Sequence, residues 1–462
     1  MAWNAVGRMS RREFAKHTGR IAAVSALAGV AIPAVHAQGD STIRLALVGC
    51  GGRGSGAALD ALRVANVPST LYAMADTFDD RLGASHKQLS GDGGVGKRVD
   101  VPPERRFVGY EAYKHALDSL RPGDVAIFAT PLAFRAPHFQ YAIEKRLNVF
   151  MEKPLSADGA ASRRLLKLGE AATARNLKVG VGLMSRHAVH LQELHKRISD
   201  GAIGDILLMR GYRMHGPVAY FRSTPKPADV SDLDYQVKRF HSFLWSGGGA
   251  FSDYYIHHID HLAWMKNGWP VKAQGVGGRH YRKADDGTPY VDQNFDSYGV
   301  EYTFEDGTKM FFDGRYMQGA APQYYSFVHG TKGSAIAAAH GDFNGPSSIH
   351  KGLSPGGAGS PLWQSTDSSN PYQNEWNALM DAIVNDKPYN EVKRGVDASV
   401  ATSMGRMAAH TGQEITFEQM LNSDHEFAPN IDAMTKDSPA PLQPDKDGLY
   451  PVPEPGRKTR EW

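Results

Sequence analysis

The chain has 462 residues, a formal net charge of +3 and 41% hydrophobic residues. This length accommodates two domains with well-developed cores, and the low net charge excludes a protein that binds nucleic acid through charge alone. The single cysteine, Cys50, excludes an intramolecular disulfide.

Residues 1–37 are predicted to be a twin-arginine export signal. The basic segment Ser10-Arg11-Arg12-Glu13-Phe14-Ala15-Lys16 precedes an apolar run over 21–35, and Val35-His36-Ala37 offers a small-residue cleavage site. The run is too short to span a bilayer, although an uncleaved N-terminal anchor is the alternative. Removal of this leader, with its five basic residues and one acidic residue, leaves a formal net charge of −1. We expect a periplasmic or secreted protein without stable membrane insertion or a nucleic-acid partner, exported by the twin-arginine translocation machinery.

Residues 41–185 are predicted to form a doubly wound parallel sheet, because short apolar strands alternate with amphipathic helices. The predicted strands cover 43–48, 71–75, 125–129, 148–151 and 178–183, and the predicted helices cover 57–64, 136–146 and 160–174.

A glycine-rich turn follows the first predicted strand. Gly49, Gly51 and Gly54 fit the G-x-G-x-x-G pattern, which lets a pyrophosphate approach the backbone at a helix N-terminus. Asp76 ends the next strand, where a carboxylate accepts hydrogen bonds from ribose hydroxyls and favours NAD. Arg81 leaves NADP possible, and a glycine turn without a nucleotide is the alternative. The turn also brings Gly52 and Arg53 to the predicted dinucleotide site, and Cys50 is interpreted as a small filler within it.

Residues 186–425 show a different pattern, with alternating apolar and polar residues over 271–278, 295–304, 309–316 and 324–329. A hairpin turn is predicted at residues 305–308, and late helices are predicted over 375–383 and 397–410. These signals predict an α+β domain with a mostly antiparallel open sheet. Residues 426–462 are a Pro-rich tail, which we expect to pack in an extended form or to stay mobile.

Several motifs in order resemble the Gfo/Idh/MocA oxidoreductases. Phe150-Met151-Glu152-Lys153-Pro154-Leu155 is similar to the family's Glu-Lys-Pro motif, and Ala129-Thr130-Pro131 with His138 is similar to its strand-end loop. Residues 201–206 are similar to the turn into its second domain, and residues 248–260 to its catalytic helix. The resemblance implies a Rossmann domain followed by the α+β domain, a nicotinamide cofactor contacted by Thr130, Pro131, His138, Glu152 and Lys153, and a homo-oligomer formed through the open sheet.

The same resemblance implies the catalytic residues. It makes His257 the acceptor of a hydroxyl proton, Lys153 the cation beside the reacting oxygen, and Asp253 the partner of His257 or a ligand of a substrate hydroxyl. The alternatives are a surface lysine and a structural Asp–His pair. A metal site formed by Asp253, His257, Asp260 and His261 is disfavoured, because the family works without metal and no cysteine or second histidine-rich element offers a further ligand.

Substrate contacts are predicted at Arg186, Trp245 and Tyr254, within or near a stretch rich in rings and basic residues between 211 and 247 that includes His241. The alternative is that these rings bury a subunit interface. The expected activity is hydride transfer between a nicotinamide and a hydroxyl carbon of a sugar, polyol or glycoside. A glycosidase that acts by transient oxidation and elimination, or a non-catalytic sugar-binding relative, is the alternative.

Overall fold

The computed structural model describes residues 41–341, 345–355 and 359–461. Its first sheet is parallel throughout and has the order β3-β2-β1-β4-β5-β6 in this part of the chain. The strands are β1 (Ile43–Val48), β2 (Ser69–Asp76), β3 (Arg106–Val108), β4 (Val125–Phe128), β5 (Asn148–Met151) and β6 (Val179–Val181). β4 and β5 are buried along their whole length, which is why they appear in the sequence as continuous apolar runs.

Helices cover both faces of this sheet. They are α1 (Gly52–Leu62), α2 (Asp79–Ser90), α3 (Ala112–Asp118), α4 (Arg135–Glu144) and α5 (Gly159–Ala174). α5 begins where the Asp158 side chain accepts a hydrogen bond from the Ala161 N–H at 2.8 Å. The predicted fold class is confirmed, and the observed bounds of β1 and β5 equal the predicted ones.

The second sheet is mixed and mostly antiparallel. Across the described ranges its order is β14-β13-β12-β11-β7-β10-β9-β8-β15, with β7 and β10 parallel. The strands are β7 (Ile206–His215), β8 (Lys272–Gly278), β9 (Ser297–Thr303), β10 (Lys309–Tyr316), β11 (Gln323–Gly330), β12 (Gly333–Ala339), β13 (Ser348–Lys351), β14 (Trp363–Gln364) and β15 (Ile415–Thr416). The hairpin predicted at 305–308 joins β9 to β10.

The sequence did not predict β7 or β12. β12 reads Gly-Ser-Ala-Ile-Ala-Ala-Ala, and small residues give little strand signal, because strand preference comes largely from β-branched and aromatic side chains. β7 interrupts its apolar residues with Arg210 and Arg213. Tertiary pairing with β10 and β11 therefore defines this central strand more than local sequence does.

The remaining helices pack on one face of the second sheet and beside the first. They are α6 (Val189–Ser199), α7 (Asp232–Lys238), α8 (Leu244–Gly247), α9 (Gly249–Met265), α10 (Pro371–Val384), α11 (Val392–Thr411) and α12 (Phe417–Asn422). Nearly every residue of α11 is buried, and its glycines allow close packing. A Cβ on Gly395 would meet Leu155 at 2.8 Å, and a Cβ on Gly405 would meet the Tyr302 hydroxyl at 1.9 Å. α11 thus lies between the two sheets.

The chain returns to the first sheet after the second sheet is complete. Trp376 of α10 is fully buried and stacks on Phe150 of β5, with ring centroids 4.5 Å apart. Residues from 42 onward form one compact unit. The predicted boundary at 185/186 falls between β6, the last strand of the first sheet, and β7 of the second sheet. α10 packs on the first sheet, although it lies within the range 186–425 predicted for the second domain.

The Pro-rich segment 427–461 packs on the body of the protein. Met434, Ala440 and Tyr450 in this segment are buried, so the extended-packing alternative describes it. The predicted export signal, residues 1–37, lies outside the described residues. Along the chain that the structure describes, no helix is long and apolar enough to cross a membrane.

Candidate active site

The glycine turn between β1 and α1 is shaped by close backbone contacts. Gly49 has φ +95°, and a Cβ there would lie 2.6 Å from the carbonyl carbon of Ala129. A Cβ on Gly54 would lie 1.9 Å from the Gly49 carbonyl oxygen, so only glycine lets α1 approach this turn. Gly51 and Gly52 instead have open space where a Cβ would stand, and both line a cavity of about 570 Å³.

The N-terminus of α1 faces this cavity without a side-chain cap. Gly51 occupies the N-cap position and the first turn holds no acidic residue. The first N–H groups of the helix are therefore left for a ligand, and a helix N-terminus favours negative charge. This cradle fits the pyrophosphate of a dinucleotide.

Asp76 lies at the end of β2, where the sequence predicts the ribose contact. Its carboxylate accepts hydrogen bonds from the N–H groups of Cys50 at 2.6 Å and Phe78 at 2.9 Å. Burial raises the pKa of Asp76, although these two hydrogen bonds act in the opposite direction. Arg81 lines the same end of the cavity and donates to the carbonyl of Lys238 at 2.8 Å.

The loop after β4 forms one wall. Thr130, Pro131 and His138 all line the cavity, as the resemblance implied, and Thr130 Oγ1 lies 3.4 Å from His138 Nδ1. Burial and the nearby Arg135 charge lower the pKa of His138 to about 3, so its imidazole is neutral at ordinary pH.

Arg135 holds this loop from behind and was not predicted. It is almost fully buried and donates to the carbonyls of Phe128 at 2.7 Å and Thr130 at 3.0 Å. Burial lowers its pKa to about 10, which still leaves it charged. Helical arginines are usually exposed, so no local signal distinguishes this one.

Arg53 and Glu152 connect the glycine turn to the strand that carries Lys153. Arg53 Nε lies 2.9 Å from Glu152 Oε1, an ion pair whose N–H is not aligned on the oxygen. The guanidinium also lies over the Tyr372 ring at 4.5 Å. Glu375 of α10 is buried nearby, and burial together with the Glu152 charge raises its pKa well above the usual range.

Lys153, Asp253 and His241 meet at the wall of the cavity that Asp76 also lines. Lys153 Nζ donates to the Asp253 carbonyl at 2.7 Å and lies 3.3 Å from Asp253 Oδ1. His241 Nε2 lies 3.3 Å from the other carboxylate oxygen, Oδ2. All three residues line the cavity, together with Tyr220 and Phe240. They come from three separate segments of the chain.

The electrostatics of this cluster keep Asp253 ionised. Burial alone would raise the pKa of its carboxyl, but the Lys153 charge and the hydrogen bond from His241 outweigh burial and hold that pKa well below its usual range. A carboxylate fixed in this state orients Lys153 and His241 and cannot itself accept a proton near neutral pH.

The structure brings the other predicted site residues together only in part. His257 is buried one turn after Asp253 on α9, and it is not among the residues that line the cavity. Among the residues that line the cavity, the imidazole that contacts the Asp253 carboxylate is that of His241, which the sequence placed only in a ring-rich stretch. The sequence contains no signal for the contact between His241 and Asp253, because this contact depends on how the segment before α9 folds back.

The three predicted substrate contacts lie outside the cavity lining. Arg186 forms a bidentate ion pair with the buried Asp260 at 2.8 and 2.9 Å. Trp245 is buried and donates its indole N–H to Gln236 at 2.6 Å. Tyr254 stacks on His241, with centroids 5.4 Å apart. The substrate role of Arg186 and Trp245 thus stays a prediction without geometric support. Tyr254 instead packs against His241, which lines the cavity.

Comparison with known sequences finds a family profile that matches part of the chain. Residues 191–336 match the profile of the GFO/IDH/MocA C-terminal domain. The matched segment contains α9 and both Asp253 and His241 of the cavity, whereas Lys153 follows the last residue of β5 in the parallel sheet.

The chain is also similar to curated relatives and to solved structures. Inositol 2-dehydrogenase 4 of Saccharopolyspora erythraea is 29% identical over 183 residues, which are 37% of this chain and 52% of the relative. The chain thus spans about half the length of that relative. Aldose–aldose oxidoreductase from Caulobacter crescentus, solved with glycerol, has a TM-score of 0.60 at 18% identity and covers 81% of this chain and 99% of its own. Levoglucosan dehydrogenase, solved with NADH and levoglucosan, has a TM-score of 0.60 at 16% identity with the same coverage. These structures share the fold.

Proposed function

We propose that this protein is an NAD(P)-dependent oxidoreductase that transfers a hydride between a tightly held nicotinamide and a hydroxyl carbon of a sugar, polyol or glycoside. One observation carries this proposal. The glycine turn and the Lys153–Asp253–His241 cluster line the same cavity. A dinucleotide bound on the turn would therefore extend toward a cation and an imidazole.

A bound nicotinamide would supply the acceptor for the hydride of a carbinol carbon. The residues of the chain manage the remaining charge. As the C–H bond gives up its electron pair, the oxygen becomes more acidic, and the Lys153 ammonium stabilises the negative charge that develops on it. The hydroxyl proton passes to an imidazole, and the carbon–oxygen bond becomes a carbonyl.

Two imidazoles are candidates for the proton acceptor. His241 contacts Asp253 at the cavity, whereas His257 holds the position that the resemblance assigns to the base. The ionised Asp253 carboxylate stabilises an imidazolium at His241 directly. Substitution of each histidine, described below, distinguishes them.

NAD is the proposed cofactor. A carboxylate at Asp76 accepts hydrogen bonds from ribose hydroxyls and disfavours a 2′-phosphate. A similarly folded levoglucosan dehydrogenase was solved with NADH, which supports this choice. Arg81 at the same end of the cavity leaves NADP as the alternative cofactor.

Tight retention of the cofactor is supported by the segment before α9. Residues 220 and 240–241 line the cavity, and three contacts tie this segment to the nucleotide-binding sheet. Tyr110 donates to Asp234 at 2.8 Å, Arg81 donates to the Lys238 carbonyl at 2.8 Å, and Lys238 pairs with Asp80 at 2.8 Å. Release of a dinucleotide past this cover would break these contacts, so we expect slow exchange.

Export makes retention relevant to the reaction. The twin-arginine signal proposed for residues 1–37 would deliver a folded protein to a compartment that does not supply NAD. A retained cofactor would then be restored by a second substrate, in a paired oxidation and reduction.

The exposed Val276 and Phe311 on the outer face of the second sheet support a homo-oligomer.

The carbohydrate class rests on the lining of the cavity and on the relatives. Tyr220, Phe240 and His241 offer ring faces beside Lys153, and rings stack on the apolar faces of sugars. The relatives named above are an inositol dehydrogenase, an aldose–aldose oxidoreductase and a levoglucosan dehydrogenase. We therefore propose a cyclic polyol or sugar as substrate.

The proposal is tested with the full chain purified from its native compartment. Mass spectrometry after denaturation should detect NAD or NADP in amounts close to one per chain. Incubation with myo-inositol, glucose and levoglucosan, singly and in pairs, should then give oxidised and reduced products. A chain that carries no dinucleotide and binds none when NAD is added would contradict the proposal.

A further inference from the structure

Segment 427–461 fastens to several elements around the cavity. The Pro451 carbonyl accepts a hydrogen bond from Gln293 at 2.9 Å, and the Leu442 carbonyl accepts one from Gln236 at 2.8 Å. Tyr450 donates to Asp232 of α7 at 2.9 Å. Segment 427–461 contains no α-helix or strand, but these hydrogen bonds fix its path. A buried carboxylate near its C-terminal end makes further contacts.

That carboxylate belongs to Glu461, whose side chain is fully buried. Arg406 of α11 donates to it from Nε at 3.0 Å and from Nη2 at 2.8 Å, and His410 Nδ1 lies 2.7 Å away. Burial opposes ionisation, but the Arg406 charge and the hydrogen bond from His410 lower the pKa of Glu461 to about 2. Loss of one partner would leave the other charge buried and unpaired.

The other donors of Arg406 reach two segments of the candidate active site. Nη1 donates to the Gly248 carbonyl at 3.2 Å and to Ser252 Oγ at 2.8 Å, at the start of α9. Nη2 donates to the Ala157 carbonyl at 3.0 Å, at the end of the loop that begins with Lys153. One planar guanidinium therefore joins both segments.

We propose that Arg406, held in place by Glu461, is a positioning residue that fixes Lys153 relative to Asp253. Ser252 immediately precedes Asp253, and Ala157 follows Lys153 by four residues. The inference rests on the proposed function, because it takes Lys153 and Asp253 as the residues that meet the reacting hydroxyl.

The chemistry of the contact favours positioning over simple packing. Arginine presents donors in a rigid fork, so the carbonyls of Ala157 and Gly248 are held at set angles. A second contact holds the segment that follows Lys153, since the Leu155 N–H donates to Ser399 of α11 at 3.0 Å. α11 therefore contacts both the segment of Lys153 and the segment of Asp253.

The test compares two serines that the same guanidinium contacts. Ser252→Ala removes the contact to α9, whereas Ser403→Ala removes a 3.5 Å contact within α11 that touches neither catalytic segment. Glu461→Gln keeps the shape of the side chain but removes its charge. We expect kcat to fall about tenfold in Ser252→Ala and Glu461→Gln, with KM and NAD affinity nearly unchanged, and no change in Ser403→Ala.

Hydrogen exchange measured on the full chain gives a readout that does not depend on turnover. In Ser252→Ala and Glu461→Gln, peptides over 153–158 and 248–256 should exchange faster than in wild type, while peptides from β1 and β4 should not change. Uniformly faster exchange, or wild-type kcat and exchange in both variants, would overturn the proposal. If the wild type oxidises or reduces none of myo-inositol, glucose and levoglucosan, the proposed function fails. The exchange pattern alone then decides whether Arg406 holds the segments of Lys153 and Asp253 in place.

Discussion

The ammonium of Lys153 lies 2.7 Å from the carbonyl oxygen of Asp253, a residue one hundred positions later in the chain. The contact joins the segment after β5 of the parallel sheet to the N-terminal part of α9. It also brings a cation to a buried carboxylate that His241 contacts from the other side. The candidate active site therefore exists only when both sheets are assembled.

Substitution of Lys153 tests the cation of this cluster. In Lys153→Ala the developing alkoxide loses its stabilising charge, so kcat should fall by roughly 10²–10³-fold, the effect typical of removing one such donor. NAD affinity should stay close to the wild-type value, because the glycine turn is unchanged. Steady-state kinetics and a fluorescence titration with NADH measure the two quantities.

The control for this prediction is Lys196→Ala. Its side chain is 74% exposed and pairs with Asp200 on the surface. It should keep wild-type kcat. A wild-type rate in Lys153→Ala would remove Lys153 from the mechanism.

Paired histidine substitutions identify the proton acceptor. If His241 accepts the hydroxyl proton, His241→Asn should lower kcat by roughly 10²–10⁴-fold and abolish the acid limb of the kcat/KM profile. His257→Asn would then change kcat much less. The reverse ranking would assign the proton to His257, as the resemblance implies, and pH–rate profiles of both variants measure the difference.

Gly51→Ala tests the cradle for the pyrophosphate. Gly51 has φ −73°, and a Cβ there meets no atom within 4 Å, so folding should be unaffected. The added methyl group would, however, stand where the pyrophosphate approaches. NAD affinity should fall by about tenfold or more, at 1.4 kcal/mol per factor of ten.

Gly83→Ala is the matched control for this substitution. Gly83 lies within α2, and a Cβ there also meets nothing within 4 Å. It should leave NAD affinity unchanged and stabilise the helix by about 0.5–1 kcal/mol. Equal NAD affinity in Gly51→Ala and wild type would contradict the predicted binding mode.

The pH dependence of stability tests the Glu461 carboxylate. Its folded pKa is depressed to about 2 from an ordinary value of 4.5, so its stabilisation is complete above 4.5 and is lost as pH falls toward 2. Over that window Glu461→Gln should reduce the slope of unfolding free energy by about 1.4 kcal/mol per pH unit. Urea unfolding at a series of pH values measures this slope, and an unchanged slope would mean that Glu461 is not ionised and paired.

The sequence predicted what depends on local pattern. The apolar runs predicted β1 and β2, and the glycines after β1 predicted the turn, because only glycine allows such close backbone contacts. The position of Asp76 at the end of β2 followed from the same pattern. The resemblance supplied Lys153 and Asp253, and the structure places both at the cavity.

The rest depends on tertiary contacts. The meeting of His241 with Asp253 requires the segment before α9 to fold back over the cavity, and no periodicity encodes that path. Arg135 and Arg406 look like ordinary helical arginines, although both are buried and bind backbone carbonyls. The return of Trp376 to the first sheet likewise depends on packing against Phe150.

Transfer of deuterium tests the central claim most directly. The loaded wild-type protein and Lys153→Ala are incubated with myo-inositol, glucose or levoglucosan carrying deuterium on the ring carbons, and the dinucleotide is recovered for mass spectrometry. We predict deuterium in the reduced nicotinamide of wild type with at least one of these substrates, and labelling that is roughly 10²–10³-fold slower in the variant. A dinucleotide that stays unlabelled with every substrate, in a protein shown to hold it, would contradict hydride transfer at this site.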